Sequence, residues 1–277
     1  MKFSVCAADC MLSQDSPFSL RAKSFASCAE KAAMWGYDGI ELQIQDPREY
    51  DGRELKKTLD AYGLGASAVT TGLAYTMEGL SMTHPDAGVR RAAVERLKRD
   101  LDLARDLDSQ ILIGYMRGRK SPGMSDEEFE DILTDSLGQV IEYGAQIQTP
   151  TVVEQINRND GDVFNSTERT MQFLEKFHSD WLLYNADTYH MITEDPDIEA
   201  AILRALPKLV LFHVSDAGRM LPDDQHFNFR LAADVLNRVG YSRWVTIECR
   251  PLPDSATVTR QGIAYLKKIF GREAEVA

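Results

Sequence analysis

Short apolar runs alternate with amphipathic stretches along the chain. FSVCAAD (3–9), YDGIELQI (37–44), GASAVTTG (65–72) and QILIGYM (110–116) read as the first four strands. TVVEQI, WLLYNAD, LVLFHVS and WVTIEC read as the fifth to eighth. Near-continuous apolar runs of this length fit strands buried on both faces. Helical signals lie between them. Residues 18–35 read as a helix ending at Trp35 and Gly36, and 51–62 as a helix closed by Gly63. Val89, Ala93, Leu97, Leu101 and Ala104 recur at helical spacing among charges, which predicts an amphipathic helix over 86–107. Ser125 followed by Asp126, Glu127 and Glu128 is an N-cap with an acidic first turn, opening a helix that runs to Gly144. Further helices are predicted near 166–178, 195–205, 228–239 and 255–270. Eight strands alternating with eight helices predict a (β/α)8 TIM barrel, one α/β domain over 1–277. The rival, an open doubly wound sheet, would carry a Gly-rich phosphate turn after its first strand, and FSVCAAD has none. The irregular stretches 73–86 and 216–229 both follow strand ends, so both are expected over the active face.

A chain of 277 residues, 44% hydrophobic, can bury one full core. Its net charge of −12 argues against a nucleic-acid surface, which needs Lys and Arg to neutralise phosphates, and against an anionic membrane. A small phosphorylated ligand, needing only a local pocket, stays open. No apolar stretch reaches the length of a membrane span. MKFSVCAADC enters a strand directly, so no signal peptide and a cytoplasmic location are expected. Cys6, Cys10, Cys28 and Cys249 have no paired metal spacing and read as buried, reduced thiols.

The chemistry gathers at the ends of the last four strands. Glu154, Asp187, His213 and Glu248 each close one of those apolar runs. One carboxylate after a strand is usually a cap or a surface residue. Ligand-type residues at four successive strand ends converge on the face where such barrels keep their active sites. Three carboxylates and one imidazole suit one divalent ion, Mn²⁺ first, with Mg²⁺, Co²⁺ or Fe²⁺ as alternatives. Removing a proton beside a carbonyl needs electrostatic stabilisation of the developing oxyanion and carboxylates on two faces. Glu154 and Glu248, three strands apart, allow that geometry. His190, three residues after Asp187, is a candidate substrate contact, with helix capping as the plainer role. Asn157 and Arg158 follow Glu154 and are candidates to hold a substrate hydroxyl. Arg250 is a candidate for the barrel mouth. Arg117 and Arg119 after the fourth strand could bind an anion, with a solvated loop the equal alternative. Glu41 is expected to enter the barrel by strand alternation, where it would need a partner. Tyr75, Met77 and Phe212 are candidates for an apolar wall.

The phrases VVEQINR, NADTYHM, FHVSDAGR and TIECRP resemble the xylose-isomerase-like family of sugar isomerases and epimerases, ketose 3-epimerases above all. WGYDGIEL, TMEGLSMTHPD and IGYMRG extend the resemblance over nearly the whole chain. It implies that Glu154, Asp187, His213 and Glu248 bind one metal ion and that Glu154 and Glu248 are the acid/base pair. It also implies that His190 touches substrate near the metal and that Arg219 in SDAGR binds substrate hydroxyls. Family barrels associate as dimers or tetramers, so a homo-oligomer acting on a small sugar or polyol is expected. The loop after Arg219 departs from the family pattern: LPDDQHFNF has Asp223 and Asp224 in place of glycine, and Asn228 where an acid is common.

Two enzyme classes share the first half of this chemistry. An isomerase or epimerase returns the proton; a dehydratase or other carbon–oxygen lyase expels a β-hydroxyl from a keto-polyol, keto-sugar or 3-dehydroshikimate-like substrate. The second needs an acid over the leaving group, for which His226 or His190 are the candidates. A DNA-repair endonuclease of related fold would need more histidine ligands and a basic groove. A barrel that only binds sugar would be expected to have lost a ligand.

Overall fold

The computed structural model describes residues 1–10 and 12–271. Its strands are β1 (Lys2–Ala8), β2 (Leu20–Arg21), β3 (Gly39–Gln43), β4 (Gly65–Thr70), β5 (Ile111–Ile113), β6 (Thr151–Glu154), β7 (Leu182–Asp187), β8 (Leu209–Val214) and β9 (Trp244–Ile247). β1 and then β3 to β9 pair in sequence order, every pair parallel, and β1 pairs again with β9. The sheet therefore closes into the eight-stranded barrel that the alternation predicted. β2 is a two-residue addition beside the end of β1. The tail 272–277, which the one-domain expectation included, lies outside the described residues.

Helices α1 (Phe25–Trp35), α2 (Gly52–Ala61), α3 (Gly72–Glu78), α4 (Ala87–Asp106), α5 (Asp126–Gln146), α6 (Thr167–Glu175), α7 (Thr188–Glu194), α8 (Ile198–Ala205), α9 (Phe229–Arg238) and α10 (Ser255–Ile269) complete the chain. The acidic start after Ser125 forms a full capping box: Ser125 Oγ accepts from Glu128 N–H, and the Glu128 carboxylate accepts from Ser125 N–H. Such a cap stabilises a helix by about 1 kcal/mol.

Several boundaries differ from the sequence expectation. The helix read over 18–35 begins only at Phe25, capped by Ser24, because Leu20 and Arg21 are drawn onto β1. The stretch 73–86 is not wholly irregular, since α3 forms in it and ends at Gly79 in the left-handed region. The region 195–205 contributes only α8, and α7 precedes it directly from the strand end. QILIGYM keeps three residues as strand. Gly114, at φ −105° and ψ −97°, then turns the chain into the 3-10 turn Tyr115–Arg117.

Strand alternation sorts the interior. Ile40 and Leu42, like Val5 and Ala7, face the helices and join the main apolar core. Inside the barrel, Ala68, Leu112, Val152 and Leu211 form a lower apolar plug. The Trp244 ring closes it beneath Gly39 and Gly65, where a Cβ would come within 2.7 and 3.2 Å of that ring. Above the plug the interior is polar and buried: Cys6, Glu41, Gln43, Asn185, Asp187 and His213 all point there. An apolar floor thus holds a cluster of buried polar groups, which need partners to offset their desolvation.

Candidate active site

Glu154 ends β6 and Asp187 ends β7; His213 is the last residue but one of β8, and Glu248 follows β9 directly. Register sets Glu154 opposite Asn185 and Asp187 opposite His213. All four side chains are buried, and one ligand atom from each lies within 4.8 Å of the others. Three carboxylates this close in a low-dielectric interior repel one another and call for positive charge between them. Oxygen donors with one imidazole fit a hard divalent cation.

Each ligand is held by a neighbour. His213 Nε2 sits 2.9 Å from Glu41 Oε2, which turns Nδ1 toward Glu248 at 3.2 Å and Glu154 at 3.5 Å. Glu41 thus has the partner that alternation demanded. A carboxylate behind a ligating imidazole fixes its tautomer and its ring orientation. Burial disfavours the imidazolium, but Glu41 and Glu248 outweigh it and raise the His213 pKa. Asn185 Nδ2 donates to Glu154 Oε1 at 2.8 Å, while Asn185 Oδ1 is buried without a partner among the described residues. Gly114 leaves room for the other oxygen, since a Cβ there would lie 2.9 Å from Glu154 Oε2. Asp187 Oδ1 accepts from Tyr189 N–H and so caps α7.

The segment SDAGR bends back over the mouth. Gly218 and Arg219 are both left-handed, at φ 68° and 60°, a conformation that costs a non-glycine residue about 1 kcal/mol. Asp216 closes the bend by a backbone bridge to Met220. The Arg219 guanidinium then lies over the Tyr189 ring, 4.3 Å from its centroid. It donates to Asp187 and Glu248, and its Nη2 is 3.2 Å from His190 Nε2. Burial works against ionisation of Glu248, but Arg219 and His213 outweigh it and hold the carboxyl at about 2. Burial pushes Asp187 the other way, to about 7, with Glu154 and Glu248 adding to the rise. Burial, with Arg219 alongside, keeps His190 neutral. Its Nδ1 accepts from Asn157 N–H at 3.1 Å.

A cavity of about 360 Å³ opens above this cluster. Glu154, Glu248, Arg219, Tyr115, Tyr189 and Asp160 form its polar side. Leu12, Pro17, Phe18, Leu73 and Leu112 form its apolar wall. Of the three residues expected to make that wall, Phe212 packs outward in the main core, Met77 is exposed, and Tyr75 stacks behind Tyr115.

Two expected substrate contacts lie elsewhere. The Arg158 side chain is 68% exposed and pairs with Glu194, which draws it away from the mouth. His226 is 54% exposed and pairs with Asp216 at 3.0 Å, in the loop beyond the cavity lining. Asn157 is buried, but its Oδ1 accepts from the backbone of Asn159 and Asp160, so it shapes the loop that presents Asp160. Arg119 pairs with Asp162 on the surface. The four cysteines are free; Cys10 is only partly buried. Asn185, Gln43 and Asp160 are the additions. Asn185 stands two residues before Asp187 and Gln43 two after Glu41, so period-two alternation marks both. Asp160 lies in a loop and carries no such signal.

The barrel and its carboxylate–imidazole cluster define a (β/α)8 site whose residues could hold a metal ion. The chain belongs to the xylose isomerase-like TIM barrel family, whose pattern it matches over residues 29–269. A ketose 3-epimerase of Arthrobacter globiformis is 25% identical over 235 residues, 82% of this chain and 78% of that protein. An L-ribulose 3-epimerase of Mesorhizobium japonicum is 26% identical over 216 residues, 77% of this chain and 71% of that protein. Both relatives are epimerases by name. A solved D-psicose 3-epimerase, crystallised in the presence of D-fructose, superposes with a TM-score of 0.81 at 18% identity, over 98% of this chain and 100% of that one. No helix among the described residues is long and apolar enough to cross a membrane.

Proposed function

We propose that this protein is a divalent-metal-dependent sugar epimerase or isomerase that moves a proton at the carbon beside a ketose carbonyl. The observation that carries the reading is the pair Glu154 and Glu248, both lining the mouth cavity and both within one four-residue ligand cluster. The donor set favours Mn²⁺, with Mg²⁺, Co²⁺ and Fe²⁺ chemically close. A divalent ion held by Glu154, Asp187, His213 and Glu248 would supply positive charge for the oxygens of an enediolate.

The chain's own groups do the rest. One carboxylate takes the proton and the other returns it from the opposite face. Return to the same carbon gives an epimer; return to its neighbour gives an aldose. Arg219 places fixed positive charge between Asp187 and Glu248, and its stacking on Tyr189 holds that charge in place. The sugar's carbon face would pack on Phe18, Leu73 and Leu112, with Asp160 and Tyr115 within the same cavity for its hydroxyls. A dehydratase would need an acid over the leaving group. Neither histidine considered for that role supports it: His226 is outside the cavity lining, and both ring nitrogens of His190 face polar partners.

The test is product analysis. Mn²⁺-loaded protein is incubated with a panel of ketoses, keto-inositols and 3-keto sugars, and the products are separated by chromatography. A C3 epimer or an aldose supports the reading. An unsaturated product formed with loss of water replaces it with the lyase.

A further inference from the structure

Arg250 reaches the mouth cavity from the segment after β9, two residues beyond Glu248. Its backbone N–H donates to the Arg219 carbonyl at 2.7 Å, so the segments that carry the two arginines are tied together. The side chains differ in what they touch. Arg219 directs its guanidinium to Asp187, Glu248 and His190. Arg21, behind the rim, directs its own to the carbonyls of Leu12, Ser13, Ser16 and Phe18 and so pins the 12–18 segment beside the cavity. Arg250 has no such set. Its Nε is shielded from solvent and has no hydrogen-bond partner among the described residues. The carboxylate nearest its Nη2 is Asp15, 3.9 Å away, on a side chain that is 82% exposed. That distance is too long for a hydrogen bond, and a pair so exposed contributes little. A shielded N–H without an acceptor is unfavourable. A ligand in this cavity reaches the Nη groups of this partly exposed side chain, which have no carboxylate closer than Asp15 among the described residues.

We propose that Arg250 receives an anionic group, carboxylate or phosphate, at the end of the sugar remote from the reacting carbonyl. The inference rests on the isomerase reading and narrows its substrate to sugar acids or sugar phosphates. A guanidinium presents parallel N–H groups that match two oxygens of either anion. Binding energy from a remote group of this kind raises kcat/KM at the reacting carbon. A neutral terminal hydroxyl accepts from only one of those N–H groups and carries no charge, so the same residue discriminates against it. The chain's net charge of −12 would not draw an anion from a distance, which leaves recognition to this local contact.

The experiment compares three compounds of one carbon skeleton: a neutral ketose, its terminal carboxylate and its terminal phosphate. Metal-loaded wild type, Arg250→Gln and Arg250→Lys are followed by deuterium uptake in D₂O. In the wild type, one anionic form should exceed the neutral form in kcat/KM by about 30-fold. That ratio should fall toward one in Arg250→Gln and survive in part in Arg250→Lys. The arm that shows the preference identifies the anion. Equal turnover of neutral and anionic forms, or a ratio untouched by Arg250→Gln, overturns the inference and leaves the isomerase reading standing. If no compound exchanges although metal is bound, the isomerase reading fails. Calorimetric binding of the same three compounds then judges Arg250 by itself. Tighter binding of an anionic form, lost in Arg250→Gln, sustains its role; equal binding of all three rejects it.

Discussion

Glu154 and Glu248 are the same side chain in unlike settings. Glu248 faces both Arg219 and His213, whereas Glu154 shares His213 at the longer distance of 3.5 Å and is held at the same oxygen by the neutral amide of Asn185. Replacing either by Gln is expected to lower kcat by about 10²–10⁴-fold with the circular dichroism spectrum unchanged; near-wild-type turnover in either would remove it from the acid/base pair. Asn185→Leu leaves Glu154 Oε1 without its donor, and we expect a 10–100-fold fall in kcat with little change in KM. A change in KM alone would show that Asn185 serves binding instead. Glu41 acts one step further out, through His213. Glu41→Gln should weaken Mn²⁺ affinity by about 10–100-fold in a calorimetric titration, and an unaltered affinity would mean that His213 needs no such support.

At the scale of elements, the strands were legible because each is a short, nearly continuous apolar run, and their ends carried the chemistry with them. Glu154, Asp187, His213 and Glu248 could be read from one sequence for that reason, and Glu41 from alternation alone. What could not be read depended on contacts between distant segments. The pull of Glu194 on Arg158 and of Asp216 on His226 arises only when loops meet. Nor does the sequence reveal that Leu20 and Arg21 leave the helical pattern to pair with β1. The amphipathic pattern of α4 hid another feature: Arg96 and Asp100 lie on its buried face. Burial raises the Asp100 pKa to about 7, with Arg96 opposing the rise. A carboxyl whose folded pKa exceeds its unfolded value of 3.8 favours the native state at low pH. That contribution declines as pH rises from about 4 and is lost once pH passes the folded value near 7. Denaturant melts of Asp100→Asn should therefore gain on the wild type over that window, by at most ~4 kcal/mol at 1.4 per pH unit. Parallel stability curves across the window would show that Asp100 stays ionised in the folded protein.

At the scale of the molecule, the barrel gathers mutually repelling carboxylates above an apolar plug and leaves a cation to balance them. A metal ion held by this cluster would link folding to metal binding. Saturating Mn²⁺ at 100 times its dissociation constant would stabilise the fold by about 2.7 kcal/mol, and a chelator should lower Tm by several degrees. An unchanged Tm would argue that Arg219 and His213 alone suffice to hold the cluster together. The proposed proton transfer beside a sugar carbonyl rests on the family, the closed barrel and the carboxylate–imidazole cluster together. Its most direct test is NMR of Mn²⁺-loaded protein with ketose substrates in D₂O. Deuterium entering the carbon next to the carbonyl, in wild type but not in Glu154→Gln or Glu248→Gln, is the result predicted. Product formation with no solvent deuterium at that carbon, or exchange undiminished in both variants, would contradict the two-carboxylate account.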